Sequence, residues 1–117
     1  MLLKLFDIPR AHNLIGGVWV QADAEIEVID PSTNKPITSI ARGTIADIDA
    51  AVNAAQSALV GEWGAMTALE RGRILIKVGV AVLNHVEDLA KIEAIDVGKP
   101  LTQARADAVA LARYMEF

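Results

Sequence analysis

The spacing of apolar residues changes once along this chain, at Gly43, and that change confines what it can fold into. Before it, Glu25-Ile26-Glu27-Val28-Ile29 alternates polar and apolar with the period of a strand until its last step. After it, Ile45, Ile48, Val52, Ala55 and Leu59 recur at spacings of 3 and 4, which is one face of an α-helix. The chain therefore reads as antiparallel β-hairpins within residues 13–42, followed by four α-helices within 44–117. Strands segregated from helices would ordinarily be classed as α+β, yet these few strands cannot cover four amphipathic helices.

Local signals place the elements. Asn13-Leu14-Ile15 and Val18-Trp19-Val20 flank Gly16-Gly17, and two glycines supply the positive φ of a tight hairpin turn. Asp30-Pro31-Ser32-Thr33-Asn34 reads as a second turn, leading to a strand over residues 36–41. Thr44 with Asp47 three residues on, and Thr67 with Glu70, are capping patterns that open the first and second helices. Gly61-Glu62-Trp63-Gly64 closes the first helix. The second is apolar nearly all round, which implies burial on several sides, and Gly79 within it weakens it relative to alanine. Asn84-His85 marks a break. The third helix ends at Gly98, and the fourth, with Leu101, Ala104, Ala108, Leu111 and Met115 on one face, continues towards Phe117 with no stop signal.

At 117 residues the chain is one small domain or part of a larger one. Apolar residues reach 53% but aromatics only 4%, so the core must be aliphatic, with small residues that let helices approach closely. A mean hydropathy of +0.35 is high for a free-standing domain and implies surface meant for a neighbour. Fifteen acidic residues against 11 basic ones argue against a nucleic-acid partner. The central apolar run, residues 78–83, is far below the ~20 residues a bilayer crossing needs. Residues 1–9 are too short for a signal peptide, so the expected setting is cytoplasmic, with no membrane partner. There is no cysteine, which excludes disulfides, thiolate zinc sites and a thiol nucleophile on this chain.

Four ordered stretches carry a resemblance. They are Asn13-Leu14-Ile15-Gly16-Gly17-Val18-Trp19-Val20, Val28-Ile29-Asp30-Pro31-Ser32-Thr33-Asn34, Met66-Thr67-Ala68-Leu69-Glu70-Arg71-Gly72-Arg73-Ile74-Leu75, and Leu89-Ala90-Lys91-Ile92-Glu93-Ala94-Ile95-Asp96-Val97-Gly98-Lys99-Pro100-Leu101. With Ala112-Arg113-Tyr114-Met115-Glu116-Phe117 they make residues 13–117 resemble the N-terminal part of the NAD(P)-dependent aldehyde dehydrogenase superfamily, closest to its betaine-aldehyde and general aldehyde branch. The resemblance implies an α/β fold, this segment belonging to the nucleotide-binding domain. It implies oxidation of an aldehyde to a carboxylic acid through a cysteine-bound thiohemiacetal, hydride transfer to nicotinamide, and glutamate-assisted hydrolysis. In that family the nucleophile, general base and cofactor contacts lie beyond the matched segment. The chain alone is thus expected to have no catalytic or cofactor-binding residue of its own, to bind no NAD(P), and to be inactive. Its partner would be the remainder of a subunit or a homo-oligomer. The competing reading is a stand-alone helical interaction or scaffold protein.

The resemblance also implies a structural Na⁺ or K⁺, held by the Asp96 carboxylate and the main-chain carbonyls of Val28 and Ile29, with a further ligand from elsewhere. On the residues alone, Asp96 at a helix C-terminus is a carboxylate opposing the dipole, offset by solvent or Lys99. Gly98-Lys99-Pro100 is a helix stop and start rather than a phosphate loop. His12 and His85 are isolated, and Glu62 and Glu93 have nothing to organise them. Trp19 and Trp63 read as packing anchors, and Arg71 and Arg73 as a solvated face or partners of Glu70 or Glu87.

Overall fold

The structure, a computed structural model, describes residues 9–117, so the signal-peptide reading of the first residues lies almost wholly outside it. The chain forms β1 (His12–Ile15), β2 (Val18–Gln21), β3 (Glu25–Asp30), β4 (Lys35–Ala41), α1 (Ile45–Val60), α2 (Glu62–Ala65), α3 (Ala68–Asn84), α4 (Val86–Val97) and α5 (Leu101–Tyr114). Two hairpins and four long helices stand in the expected order; the single-turn α2 occupies the stretch read as a helix stop. These elements make two compact units, Met1–Ile29 with Pro36–Ala65, and Asp30–Lys35 with Met66–Phe117.

In the first unit β1 and β2 pair antiparallel, with Ile15 opposite Val18 and Leu14 opposite Trp19. Gly16 and Gly17 both take positive φ, as the tight reversal requires. The Thr44 hydroxyl accepts from the Asp47 N–H while the Asp47 carboxylate accepts from the Thr44 N–H, a complete capping box for α1. The apolar stripe of α1 finds no cover: Ile45 is 80% exposed and Leu59 66%. The helix instead faces β1 through small residues, and a Cβ added at Gly16 would sit 3.5 Å from the Ala54 Cβ.

The second unit begins with the β3–β4 turn. Asp30 accepts from the Ser32 N–H at 2.7 Å and the Thr33 hydroxyl at 3.0 Å, and Asn34 takes the left-handed conformation its side chain tolerates. Its Pro31 packs on Gly98, the left-handed residue that stops α4. The buried apolar residues among those described are Ala90, Ala104, Ala108 and Ala112. Small residues let α4 and α5 approach closely, as the aliphatic, aromatic-poor composition implied. Two expectations are corrected. The buried face of α5 is the alanine row at every fourth position, while Leu101 and Leu111 are exposed. In α3 only Gly79 is buried, and Ile76, Val78 and Val80 remain exposed, so this chain does not supply burial on several sides. At its end α5 stops at Tyr114, and the last residues close in tighter turns, with the Glu116 N–H donating to the Arg113 carbonyl.

The cap of α3 carries a prediction. The Glu70 carboxyl is held below its ordinary range because the Thr67 N–H, and then the Thr67 hydroxyl, donate to it. A carboxyl lowered in the folded state stabilises the fold above its unfolded pKa, and that contribution is lost as pH falls through the folded value. Thr67→Ala is expected to cost about 1 kcal/mol near neutrality by urea unfolding. The gap from the parent chain should narrow below the ordinary glutamate range.

Candidate functional site

The densest group of charges lies where α4 passes into α5. Gly98 ends α4 and Pro100 begins the next helix, so Lys99 is held between them with reach to both. Its ammonium donates to Glu93 of α4 and, at 2.6 Å, to Asp107 of α5. These two carboxylates, Asp107 first, raise the Lys99 pKa above its usual value. Two residues before Asp107 on α5, Arg105 grips Glu87 with Nε and Nη2 at 2.7 and 3.0 Å. The guanidinium hydrogen bond holds the Glu87 carboxyl below its ordinary range. Pairs this exposed contribute little to stability and instead set the register of α4 on α5.

Beside them an open groove of about 420 Å³ runs along α4 and α5, lined by apolar Leu89, Ile92 and Leu111 and by Glu93, Asp96 and Asp107. Asp96 is exposed in the last turn of α4. Lys99 does not serve Asp96, as the charge reading had it, because Glu93 and Asp107 engage it. Val28 and Ile29 lie in β3, in the first unit, and Asp96 lies in the second. Among the described residues no three or more His, Cys, Asp or Glu side chains gather as a metal cluster. Glu70 is committed to its cap and Glu87 to Arg105, while the Arg71 guanidinium donates to the Met66 carbonyl at 2.6 Å. Arg71 is thereby tied to the start of its own helix, and Arg73 is exposed, in line with the solvated-face reading. The double role of Lys99 was missed because its partners are six and eight positions away, across a helix junction.

The first unit holds a second concavity, between β1 and the first half of α1, lined by Leu14, Ile15, Ile48 and Ala51 with Asn13 beside Gly43. The Asn13 amide nitrogen is buried there without a hydrogen-bond partner. Strand alternation puts Asn13 on the face of Ile15, which was the available signal. Gly16-Gly17 joins two antiparallel strands rather than a strand to a helix, so it is not a pyrophosphate cradle. Among the described residues no helix is long and apolar enough to cross a membrane.

Two hairpins leading into four long helices are consistent with an N-terminal segment of an α/β fold. The aldehyde dehydrogenase family profile matches residues 19–117, and the chain belongs to that family. It is similar to hydroxyisobutyraldehyde dehydrogenase of Mycolicibacterium austroafricanum, 38% identical over 88% of this chain and 21% of that protein. It is also similar to betaine aldehyde dehydrogenase of Bacillus subtilis, 32% identical over 88% of this chain and 22% of that protein. A crystal structure from Burkholderia cenocepacia assigned to the aldehyde dehydrogenases superposes with a TM-score of 0.88 at 52% identity, over 92% of this chain and 23% of that one. Staphylococcus aureus betaine aldehyde dehydrogenase, solved with NAD⁺, gives a TM-score of 0.89 at 28% identity, over 99% of this chain and 24% of that one. The chain thus spans between a fifth and a quarter of the length of these relatives.

Proposed function

We propose that this chain is the N-terminal scaffold segment of an NAD(P)-dependent aldehyde dehydrogenase subunit, and that it does not catalyse alone. One observation carries the reading: nearly the whole chain matches a family whose members are over four times longer, and it contains no cysteine. A thiol nucleophile must then come from other polypeptide. The described residues do not fit a dinucleotide, since the paired glycines turn a hairpin and, among the described residues, no glycine-rich turn leads from a strand into a helix. The segment's work is structural: Lys99 and Arg105 fix α4 on α5, and the alanine row packs them closely. The relatives' names make betaine aldehyde the first substrate to try for the complete subunit, in a cytoplasmic setting.

The purified chain is expected to show no saturable NAD⁺ binding by calorimetry and no NADH production with betaine aldehyde. Saturable binding or turnover by the chain alone would overturn the reading.

The donor chemistry of Val28, Ile29 and Asp96 suits a hard monovalent cation, two carbonyl oxygens and a carboxylate, with the rest of the shell supplied from outside the chain. In a full-length relative, alanine at the residue matching Asp96 is expected to abolish the dependence of thermal stability on K⁺ or Na⁺. An unchanged dependence removes this assignment.

A further inference from the structure

Helix α3 carries a stripe that nothing in its own unit covers. Leu69, Arg73, Ile76 and Val80 follow one another at spacings of 4, 3 and 4, and all four are exposed, Leu69 at 65% and Val80 at 53%. Gly79 turns a different side of the helix onto α5, and Arg73 and Val80 lie roughly 100–120° around the helix from it. Lys77 flanks the stripe next to Arg73, and among the described residues neither cation has an ion-pair or hydrogen-bond partner. The groove along α4 and α5 has the opposite charge. Its apolar floor is Leu89, Ile92 and Leu111. Asp96 stands unpaired towards the end of α4, and Glu93 and Asp107 share the single ammonium of Lys99.

The two surfaces match in length as well as in charge. Arg73 and Val80 are seven residues apart, and so are Leu89 and Asp96, roughly 10 Å of helix in each case. Laid antiparallel to α4, the stripe sets Arg73 against Asp96, Ile76 against Ile92 and Val80 against Leu89, with Lys77 beside Glu93. We propose that α3 of one copy of this chain docks in the α4–α5 groove of another. A second copy is the occupant because it carries both halves of the match, and because α3 is already held on α5 of its own chain through Gly79. An amphipathic helix laid in an apolar groove, with charges paired at the rim, is a recurrent mode of recognition. The contact joins unlike surfaces, so the assembly grows head to tail unless it closes into a ring. The scaffold reading does not depend on it.

Sedimentation velocity of the 117-residue chain over a wide range of concentration tests the contact. The mean mass is expected to rise with concentration and to fall with added salt, which screens exposed charges. Arg73→Glu and Asp96→Lys should each weaken association by roughly tenfold or more. Lys91→Glu, the same change of charge on the opposite side of α4, should not. An equimolar mixture of the Arg73→Glu and Asp96→Lys chains should associate again, because contacts between unlike chains then oppose charges while those between like chains repel. Circular dichroism matching the parent chain establishes that the variants fold. A parent chain that stays monomeric overturns the proposal, and so does association indifferent to residues 73 and 96. Folded single variants whose mixture does not recover overturn it as well.

Discussion

Gly79→Val is expected to force α3 away from α5 and to lower the stability of the helical unit by about 2–3 kcal/mol. A Cβ at residue 79 would stand 2.9 Å from the Ala112 carbonyl oxygen and 3.3 Å from the Met115 Cβ. The first contact is with backbone at the end of the buried alanine row, so it cannot be relieved by turning a side chain. Even Gly79→Ala should destabilise, although alanine in a helix is worth ~1 kcal/mol over glycine. Gly72, seven residues earlier in the same helix, supplies the opposite sign. Nothing lies within 4 Å of its added Cβ. Gly72→Ala should therefore stabilise by about 0.5–1 kcal/mol. Urea unfolding followed by far-ultraviolet circular dichroism reads all three. A Gly79→Ala chain as stable as Gly72→Ala would remove the close crossing of α3 and α5.

That pair shows where sequence reasoning reached and where it stopped. Spacing and caps gave α1 and α3 their starts at Thr44 and Thr67, because those interactions join residues three apart. The Gly16-Gly17 reversal, the Asn34 turn and the Gly98 stop were legible for the same reason: each depends on the φ of one local residue. Gly79 read as a defect because its reason lies on another helix, more than thirty positions on. The choice of Ala112 over Leu111 for the buried face of α5 failed likewise. A hydrophobicity pattern favours the larger residue, while close helix packing selects the smaller one. The orphaned Asn13 amide is further from sequence still, since burial of one nitrogen is set by a helix that begins some thirty residues later.

Gly64→Ala should also destabilise, here at the junction that turns the chain out of α1. A Cβ at residue 64 would fall 1.7 Å from the Leu59 carbonyl oxygen and 2.6 Å from its carbon, so no side chain fits while the junction keeps its shape. In glycine, that direction carries only an α-hydrogen pointing at the oxygen. The last four carbonyls of a helix lack intrahelical partners, and a Cα–H···O contact is one way to approach them. An added methyl must open the turn, unwinding α2 and moving Trp63, at a cost of about 2 kcal/mol. The sign is diagnostic, because alanine in an unconstrained helical turn would raise stability. In a Trp19→Phe background, which leaves Trp63 as the sole tryptophan, Gly64→Ala should lower the urea midpoint and shift the emission of Trp63. Unchanged emission with equal or greater stability would mean that the chain leaves α1 along a different path, one that does not bring residue 64 onto the carbonyl of Leu59.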